Sequence, residues 1–406
     1  MESLNVLNPP VLDNSLKQYH FQLFPPNNPN ALEHNDTIHF NIQRLESFTR
    51  PHDSYLHIEG RALDFTEPVD TKLDASVTLT SNFAAFLFSD IKYELNAVTI
   101  DSVKNVGVTT CMKGLASLTK DQSEAMQVAS WGAPLVSDEG YFSVMIPLKF
   151  LMGFFEDYKH ILVNTRQELI LTRSKNDDNC FVSTTDKKGK IKLSSITWKL
   201  PFLQPSDDQR LRLMNIINKN VTIPMAFRSW EMFQYPSIPS NANQLNWQIK
   251  ISTNLERPRM VLFALQTNKI DNPKANGSHF DHVNIKEVKL QLNNETIPYS
   301  NYNTEFTKNK FDQVFNDFTR FKKAYYDGFS EESAVSMSDF KTKFPIFVID
   351  CSNFQDVLNL ATTVDIRLFV ETASGNFPAN TNAYCLILSD RMLNYSPLEG
   401  IVKKLV

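Results

Sequence analysis

The amino-acid sequence predicts an all-β chain built from two similar sandwiches in tandem, with short crossover helices. Three observations carry that expectation. First, a ten-residue stretch is used twice: Ile91-Lys92-Tyr93-Glu94-Leu95-Asn96-Ala97-Val98-Thr99-Ile100 and, 197 residues later, Val288-Lys289-Leu290-Gln291-Leu292-Asn293-Asn294-Glu295-Thr296-Ile297. In each copy apolar residues alternate, break at an Asn and resume with Thr-Ile. That pattern puts one side-chain set on a sheet face and reverses the chain as a hairpin. Second, further blocks recur in the same order. Thr37–Pro51 matches Thr222–Pro236 at an offset of 185, Phe142–Leu148 resembles Phe344–Asp350 at 202, and Gln167–Thr172 resembles Ile366–Glu371 at 199. Offsets that drift only as loop insertions would make them drift indicate a duplicated domain, with a period far longer than a solenoid or propeller repeat. Third, the strand-like runs do not alternate with helices, which disfavours a parallel α/β fold.

Residues 1–36 carry Pro9, Pro10, Pro25, Pro26 and Pro29 among many Asn and read as an extended arm. Tyr19, Phe21, Leu23 and Phe24 nevertheless form a short apolar patch. Such an arm docks as an added strand, on its own body or on a neighbour, or stays a loose terminus. The first sandwich, 37–204, reads as strands Thr37–Phe48, Ser54–Leu63, Ala75–Phe88 and Ile91–Ile100, a helical piece Val103–Leu118, and strands Tyr141–Leu148, Leu162–Arg173 and Ile191–Leu200. Asp121–Ala129 adds a further turn or two of helix, and Ser174–Gly189 is a polar loop. About seven or eight strands with one helix-bearing crossover suit a Greek-key or jelly-roll sandwich.

The connector, 205–221, predicts a short helix: Ser206 with Gln209 has the spacing of a capping box, and Asp207 and Asp208 suit a helix N-terminus. Leu211, Leu213, Met214, Ile216 and Ile217 give it a broad apolar face, expected to pack across both domains. The second sandwich, 222–396, repeats the plan with Thr222–Phe233, Gln244–Thr253, Met260–Gln266, Val283–Ile297, Phe344–Asp350, Val364–Glu371 and Ala383–Ser389. Its crossover helix is marked by Phe311, Val314, Phe315, Phe318 and Phe321 at spacings of three and four. Residues 397–406 are left as a tail.

A chain of 406 residues gives each half enough length to bury its own core without metals or disulfides. The formal charge of −4 argues against general nucleic-acid binding, and the cluster Lys187-Lys188-Gly189-Lys190 reads as a solvated hairpin tip. Cys111, Cys180, Cys351 and Cys385 are widely spaced with no CxxC pair, so free thiols in a reducing compartment are expected. The N-terminal residues lack a secretory pattern, so the sequons at Asn35, Asn220, Asn276, Asn294 and Asn394 are expected to be unused. The longest apolar run, Tyr141 to Phe155, is interrupted by Pro147, Lys149 and Gly153 and reads as a strand leading into a turn.

Little in the chain points to chemistry. His279, Asp281 and His282 form the one close His cluster, but they lack a distant fourth ligand and sit at a strand start, which favours a structural role. Glu156 and Asp157 are adjacent and expected to be solvated in a turn. There is no G-x-S-x-G, H-E-x-x-H, Walker A or G-x-G-x-x-G motif. No catalytic, cofactor-binding or metal-ligating residue is assigned, no cofactor is expected, and the chain is expected not to be an enzyme.

Several stretches resemble the double jelly-roll major capsid proteins of virus-like elements of the Polinton/Maverick and adintovirus kind. In the second half these are Arg257–Thr267, Phe280-Asp281-His282, Phe227-Arg228-Ser229-Trp230, the helix end from Arg320-Phe321 to Tyr325-Tyr326, and Ala383-Tyr384-Cys385-Leu386-Ile387. In the first half they are Tyr55–Gly60 and Gly153-Phe154-Phe155-Glu156-Asp157-Tyr158. The resemblance covers roughly residues 17–392. It implies two jelly rolls side by side, three chains forming a pseudo-hexagonal capsomer, and an icosahedral shell around double-stranded DNA. The partners implied are further copies of the chain and a penton or minor capsid protein, with no strong direct nucleic-acid contact and no membrane span. The location implied is the virion, after synthesis in the cytoplasm and assembly there or in the host nucleus, without secretion. The N-terminal arm, with Tyr19, Phe21 and Phe24, is the part expected to reach a neighbouring copy. The alternative is an exapted binding module recognising a glycan or a protein through its loops. A shell protein should carry its exposed apolar residues along barrel sides, and a binding module should gather aromatics at loop tips.

Overall fold

The structure, a computed structural model, describes residues 15–43, 48–65, 71–253, 257–326, 332–352 and 363–405. The first barrel contains β1 (Leu16–Phe24), β2 (Thr37–Ile42), β3 (Phe48–Thr49), β4 (Tyr55–Asp64), β5 (Val77–Leu79), β6 (Phe88–Leu95), β7 (Val98–Lys104), β8 (Tyr141–Pro147), β9 (Leu162–Val163), β10 (Gln167–Arg173), β11 (Phe181–Ser183) and β12 (Gly189–Pro205). Its helices are α1 (Phe83–Phe86), α2 (Val106–Ser117), α3 (Lys120–Ala125) and α4 (Gly153–Asp157). After α5 (Asp207–Asn218) come β13 (Ile223–Ile238), β14 (Gln244–Thr253), β15 (Arg257–Thr267), β16 (Ile285–Leu292) and β17 (Glu295–Ile297). Then follow α6 (Asp312–Tyr326), α7 (Met337–Thr342), β18 (Phe347–Asp350), β19 (Thr363–Thr372), β20 (Thr381–Ser396) and β21 (Ile401–Lys404).

Both barrels are jelly-roll sandwiches with one strand order. In the first, β1-β12-β4-β8 face β2-β10-β6-β7; in the second, β13-β20-β15-β18 face β14-β19-β16-β17. All the strand pairs are antiparallel. Alternation does the sorting, as the sequence predicts. Ile38, Phe40 and Ile42 of β2, Ile91, Tyr93 and Leu95 of β6, and Leu169 and Leu171 of β10 point inward and are buried. The repeated stretch forms the same hairpin twice, β6–β7 turning at Asn96-Ala97 and β16–β17 at Asn293-Asn294. Each hairpin leads into a crossover helix, α2 and α6. Phe311, Val314, Phe318 and Phe321 are buried as their spacing requires, with Phe315 half-buried. One continuous cluster of buried apolar residues runs through both barrels.

Several expectations are corrected. From Leu16 onward the arm is the edge strand of the first barrel: β1 pairs with β12 from Leu16↔Pro205 to Phe24↔Trp198. His20 and Phe24 lie against Phe202, and Phe24 also against Trp198, so the alternation there belongs to the arm's own body. Residues 1–14 lie outside the described residues. It follows that β1, and not β2, is the counterpart of β13, since each pairs with the last long strand of its barrel. The match of Thr37–Pro51 with Thr222–Pro236 therefore joins strands from different sheets, and Phe48 is not the counterpart of Phe233. Two half-buried strands share one alternating pattern whatever sheet they occupy.

Ala75–Phe88 is not one strand, because Asn82 adopts a left-handed conformation and Phe83-Ala84-Ala85-Phe86 turns as a buried helix. Leu162–Arg173 is likewise broken, at Asn164. The connecting helix forms, but Ser206 makes no side-chain cap and no α5 residue is buried. Leu213 and Ile217 pack on the core while Leu211 is 65% exposed, so the helix does not wedge the barrels. The expected tail is partly a strand, β21, on β20. Among the described residues no helix is long and apolar enough to cross a membrane.

Candidate functional site: the junction between the barrels

A dense set of polar groups meets where the barrels touch. Helix α4 begins at Gly153 because the backbone of β13 passes against it: a Cβ there would lie 1.7 Å from the Arg228 carbonyl oxygen. The next residue, Phe154, packs edge to face on Phe227 of the second barrel at 5.3 Å between ring centres. Its N–H donates to the buried Asp101 at 2.9 Å.

One turn on, Asp157 holds Arg228 in a fork, accepting from Nε at 2.8 Å, from Nη2 at 2.6 Å and from the Arg228 backbone N–H at 2.8 Å. The guanidinium lies 3.6 Å over the Tyr325 ring and donates to the Tyr325 carbonyl. Beside it, Lys113 of α2 is 2% exposed. Its ammonium donates to Glu156 at 2.9 Å and to the Tyr326 hydroxyl at 2.6 Å. Around it stand the rings of Trp230, Tyr325 and Tyr326, with centres 4.7, 4.6 and 4.9 Å away. Glu156 also accepts from the Tyr325 and Tyr326 hydroxyls.

Two cations and two carboxylates thus neutralise each other inside an aromatic cage. Burial pulls the Lys113 ammonium below the usual lysine range, and Glu156 draws it part of the way back. Burial opposes the Arg228 charge, but the bonds to Asp157 hold its pKa above the ordinary value. Burial, reinforced by Glu156, drives both tyrosine hydroxyls well up. Asp101 is pushed up to about 6 by burial, against the N–H bonds it accepts from Phe154 and Ser102. The groups satisfy one another, and what the arrangement can do is fix geometry.

Further bonds close the junction at both ends. At one, Ser278 donates to the Ser81 carbonyl at 2.6 Å and the Asp271 N–H to Asn179 at 3.0 Å. At the other, Asn96 Nδ2 donates to the Gly400 carbonyl at 2.8 Å, and Asn164 bonds the Pro397 carbonyl.

Sequence reasoning places Glu156 and Asp157 in solvent, and the structure overturns that. A turn between two packed barrels is not a surface turn. Lys113, Arg228, Tyr325 and Tyr326 were not singled out for a role. The available signal was a lone lysine in the apolar run Val106–Ser117. Three of the stretches that carry the family resemblance, Gly153–Tyr158, Phe227–Trp230 and Arg320–Tyr326, converge here.

Each member of the His cluster has a hydrogen-bond or packing partner. Asp281 accepts from the Thr267 N–H and from Lys269, both at 2.8 Å, while His282 stacks on Phe306 at 4.8 Å. His279 stands edge to face against Phe344 at 5.4 Å, and burial with Lys269 and Lys343 lowers its pKa to about 4. Among the described residues no group of three or more His, Cys, Asp or Glu is placed to hold a metal.

Comparison with solved structures finds the same fold in viral major capsid proteins. VP54 of PBCV-1, as fitted into a reconstruction of the virophage Sputnik, aligns over 98% of this chain and 99% of its own, with TM-score 0.62 and 10% identity. The mavirus major capsid protein aligns over 99% and 92%, with TM-score 0.57 and 13% identity. The Faustovirus major capsid protein aligns over 95% and 92%, with TM-score 0.58 and 8% identity. At these identities the likeness is one of fold. No curated protein sequence matches the chain. The sequence model of the double jelly roll-like domain matches residues 77–393, well over half of the chain. The chain therefore belongs to the double jelly roll-like domain family.

Proposed function

We propose that this chain is a major capsid protein, a non-enzymatic building block that assembles as a pseudo-hexagonal trimer and then as an icosahedral shell around double-stranded DNA. The observation that carries the proposal is the side-by-side locking of two barrels of one strand order. Strand β13 of the second barrel meets α4 and β7 of the first, and among the described residues β1 at one end and β18 at the other each pair with a strand on one side only. A unit with two unlike ends makes heterologous contacts, which close into a ring where the rotation between copies allows it. Three such chains give six near-equivalent wedges. The exposed apolar residues favour a shell over a loop-based binding module: Tyr19, Phe21 and Leu23 lie along a barrel edge and are 42%, 45% and 61% exposed.

Neighbours sharing the fold are capsid proteins of mavirus and Faustovirus, which supports a virion location. The partners are then further copies of the chain, followed by a penton or minor capsid protein, and the Polinton/Maverick and adintovirus-like elements are the source that the sequence resemblance favours. With a formal charge of −4, dense contact with the enclosed DNA is not expected.

Native mass spectrometry and electron microscopy of the purified protein test the proposal. A species near three times 46.5 kDa, or particles built from it, is expected. A monomer that persists at high concentration and under crowding would overturn it.

A further inference from the structure

Beside the bond from Asp271 to Asn179 that helps close the junction, a cleft of about 460 Å³ opens between the barrels. That volume falls within the roughly 300–1,000 Å³ of small-molecule sites, which favour the seams between domains. The first barrel lends the cleft Phe86 and Phe88, at the entry to β6, and Arg173, at the end of β10. The second lends it one face of a sheet. Gln234 of β13 stands opposite Tyr384 of β20, Tyr384 stands opposite Ala264 of β15, and Gln266, two residues along β15, shares that face.

Two of these side chains are buried without being used up by the protein. Gln266 is 2% exposed, and its Nε2 donates to the carbonyls of Gly277 at 2.8 Å and His279 at 2.9 Å. Those bonds spend both amide hydrogens, and Oε1 accepts nothing among the described residues. Tyr384 is 1% exposed, and its hydroxyl has no hydrogen-bond partner among the described residues. A buried polar group left without a partner costs about 1–3 kcal/mol. Two of them on the wall of one cleft mark a place where a ligand supplies the missing bonds.

The charges around the cleft are matched. Arg173 donates to Asp177 at 2.9 Å and Lys175 pairs with Asp271 at 2.5 Å, and no other ionic side chain lines the cleft among the described residues. A phosphate or carboxylate would find no spare cation there. What the cleft offers instead is six Asn and Gln side chains around the rings of Phe86, Phe88 and Tyr384. Amides both donate and accept, which matches the paired demands of a hydroxyl group, and the rings suit the apolar C–H face of a sugar.

We infer that this cleft is a binding site for an uncharged sugar, a mono- or disaccharide, anchored by the Tyr384 hydroxyl and Gln266 Oε1. The site belongs to the single chain, whatever the chain assembles into, so the inference stands apart from the capsid reading.

Saturation-transfer NMR on the full chain tests it with glucose, galactose, mannose, N-acetylglucosamine, maltose and lactose. At least one of these should bind at millimolar concentration or below. Tyr384→Phe should weaken that binding about tenfold. The same variant should leave the urea midpoint unchanged, because the hydroxyl it removes holds nothing inside the protein. A glucose phosphate should bind no better than glucose. An array of immobilised glycans tells a free sugar from one carried on a glycan chain, and retention there that Tyr384→Phe reduces supports the inference equally. No binding in either format, binding that Tyr384→Phe leaves unchanged, a lower urea midpoint for that variant, or a preference for the phosphorylated sugar each overturns the inference, and the capsid reading stands in every case.

Discussion

Asn96 and Asn293 make the same pair of hydrogen bonds in the two barrels. Asn96 donates its N–H to the Arg166 carbonyl at 3.0 Å and accepts from the Arg166 N–H at 2.8 Å. Asn293 does the same with Asp365, at 2.9 and 2.8 Å. Both have positive φ, 49° and 54°, at the first position of a two-residue hairpin turn. The Asn at the break in the repeated stretch therefore has two physical reasons. It tolerates the left-handed turn, and its amide oxygen clips the turn to the entry of the neighbouring strand, β10 or β19.

Replacing Asn293 separates those two reasons. Asn293→Gly keeps the turn and loses the side-chain bond, so it should cost about 1 kcal/mol. Asn293→Ala loses both and should cost about 1 kcal/mol more. Urea unfolding of the two variants beside wild type gives the comparison. Equal costs would show that backbone strain has no part in the choice of Asn.

The caged ion pairs give a second prediction. Removing one partner leaves a buried charge unmatched, so Lys113→Ala should destabilise the protein by about 3–5 kcal/mol. Replacing both partners by uncharged groups of similar size, Lys113→Met with Glu156→Gln, should recover most of that loss. Arg228→Lys keeps the charge but not the fork and the stacked plane, and should still cost about 1–2 kcal/mol. Chemical denaturation of the four proteins reads these effects.

How much of this was legible in the sequence follows from what each residue's pattern encodes. Alternation and the repeated Asn turn are local, so the barrels, both hairpins and the α6 stripe could be read directly. Alternation says nothing about which sheet a strand joins, so it cannot tell β1 from an extended arm or β2 from the counterpart of β13. The junction was hidden for a related reason. Lys113, the Glu156-Asp157 pair and Arg228 are far apart in the chain and ordinary one by one. Only the packing of α4 on β13, with Gly153 allowing it, turns four surface-type residues into an interior lock. The same limit applies to α5, where Leu213 and Ile217 pack on the core but Leu211, Met214 and Ile216 stay exposed.

Two buried groups set opposite pH dependences. Asp101 has a folded pKa of about 6, above its ordinary 3.8, so folding favours the protonated form; its contribution is full below pH 3.8 and is lost as pH rises towards 6. His279, at about 4 against an ordinary 6.5, favours the neutral form; its contribution is full above pH 6.5 and is lost as pH falls towards 4. Between pH 3.5 and pH 7.5 the stability of Asp101→Asn relative to wild type should therefore shift in the variant's favour by about 3 kcal/mol. Asn keeps an acceptor for one of the two N–H groups, Phe154 or Ser102, and loses the other, a cost that is the same at every pH. His279→Gln should remove the acid-side loss instead. Urea midpoints across pH 3.5–8 test both signs.

The four cysteines should behave as buried thiols. All are free, and burial raises the pKa of each, that of Cys111 to about 12. A thiol reagent should label none of them in the native protein within minutes and all four after unfolding without reductant. A Cys–Cys bridge found by mass spectrometry would contradict this.

The last prediction concerns Gly153, where the two barrels come closest. A Cβ there would stand 1.7 Å from the Arg228 carbonyl oxygen and 3.0 Å from Trp230 Nε1. The first of these atoms is backbone in the middle of β13, held by its sheet, and cannot step aside as a flexible side chain would. Gly153→Ala must therefore move α4 away from β13. Asp157 then loses its fork on Arg228, and water reaches the cage around Lys113, because both acids sit on the same short helix. The effect should be far larger than that of Gly132→Ala, where a Cβ meets nothing within 4 Å and the only cost is the left-handed φ of 83°. For Gly132→Ala about 1 kcal/mol is expected. For Gly153→Ala the expected outcome is a loss of at least about 3 kcal/mol together with new proteolytic cleavage in the connector around α5, as the barrels part while each keeps its own core. Equal stabilities for the two alanine variants, with no cleavage, would mean that the junction is not the rigid element that orients the barrels.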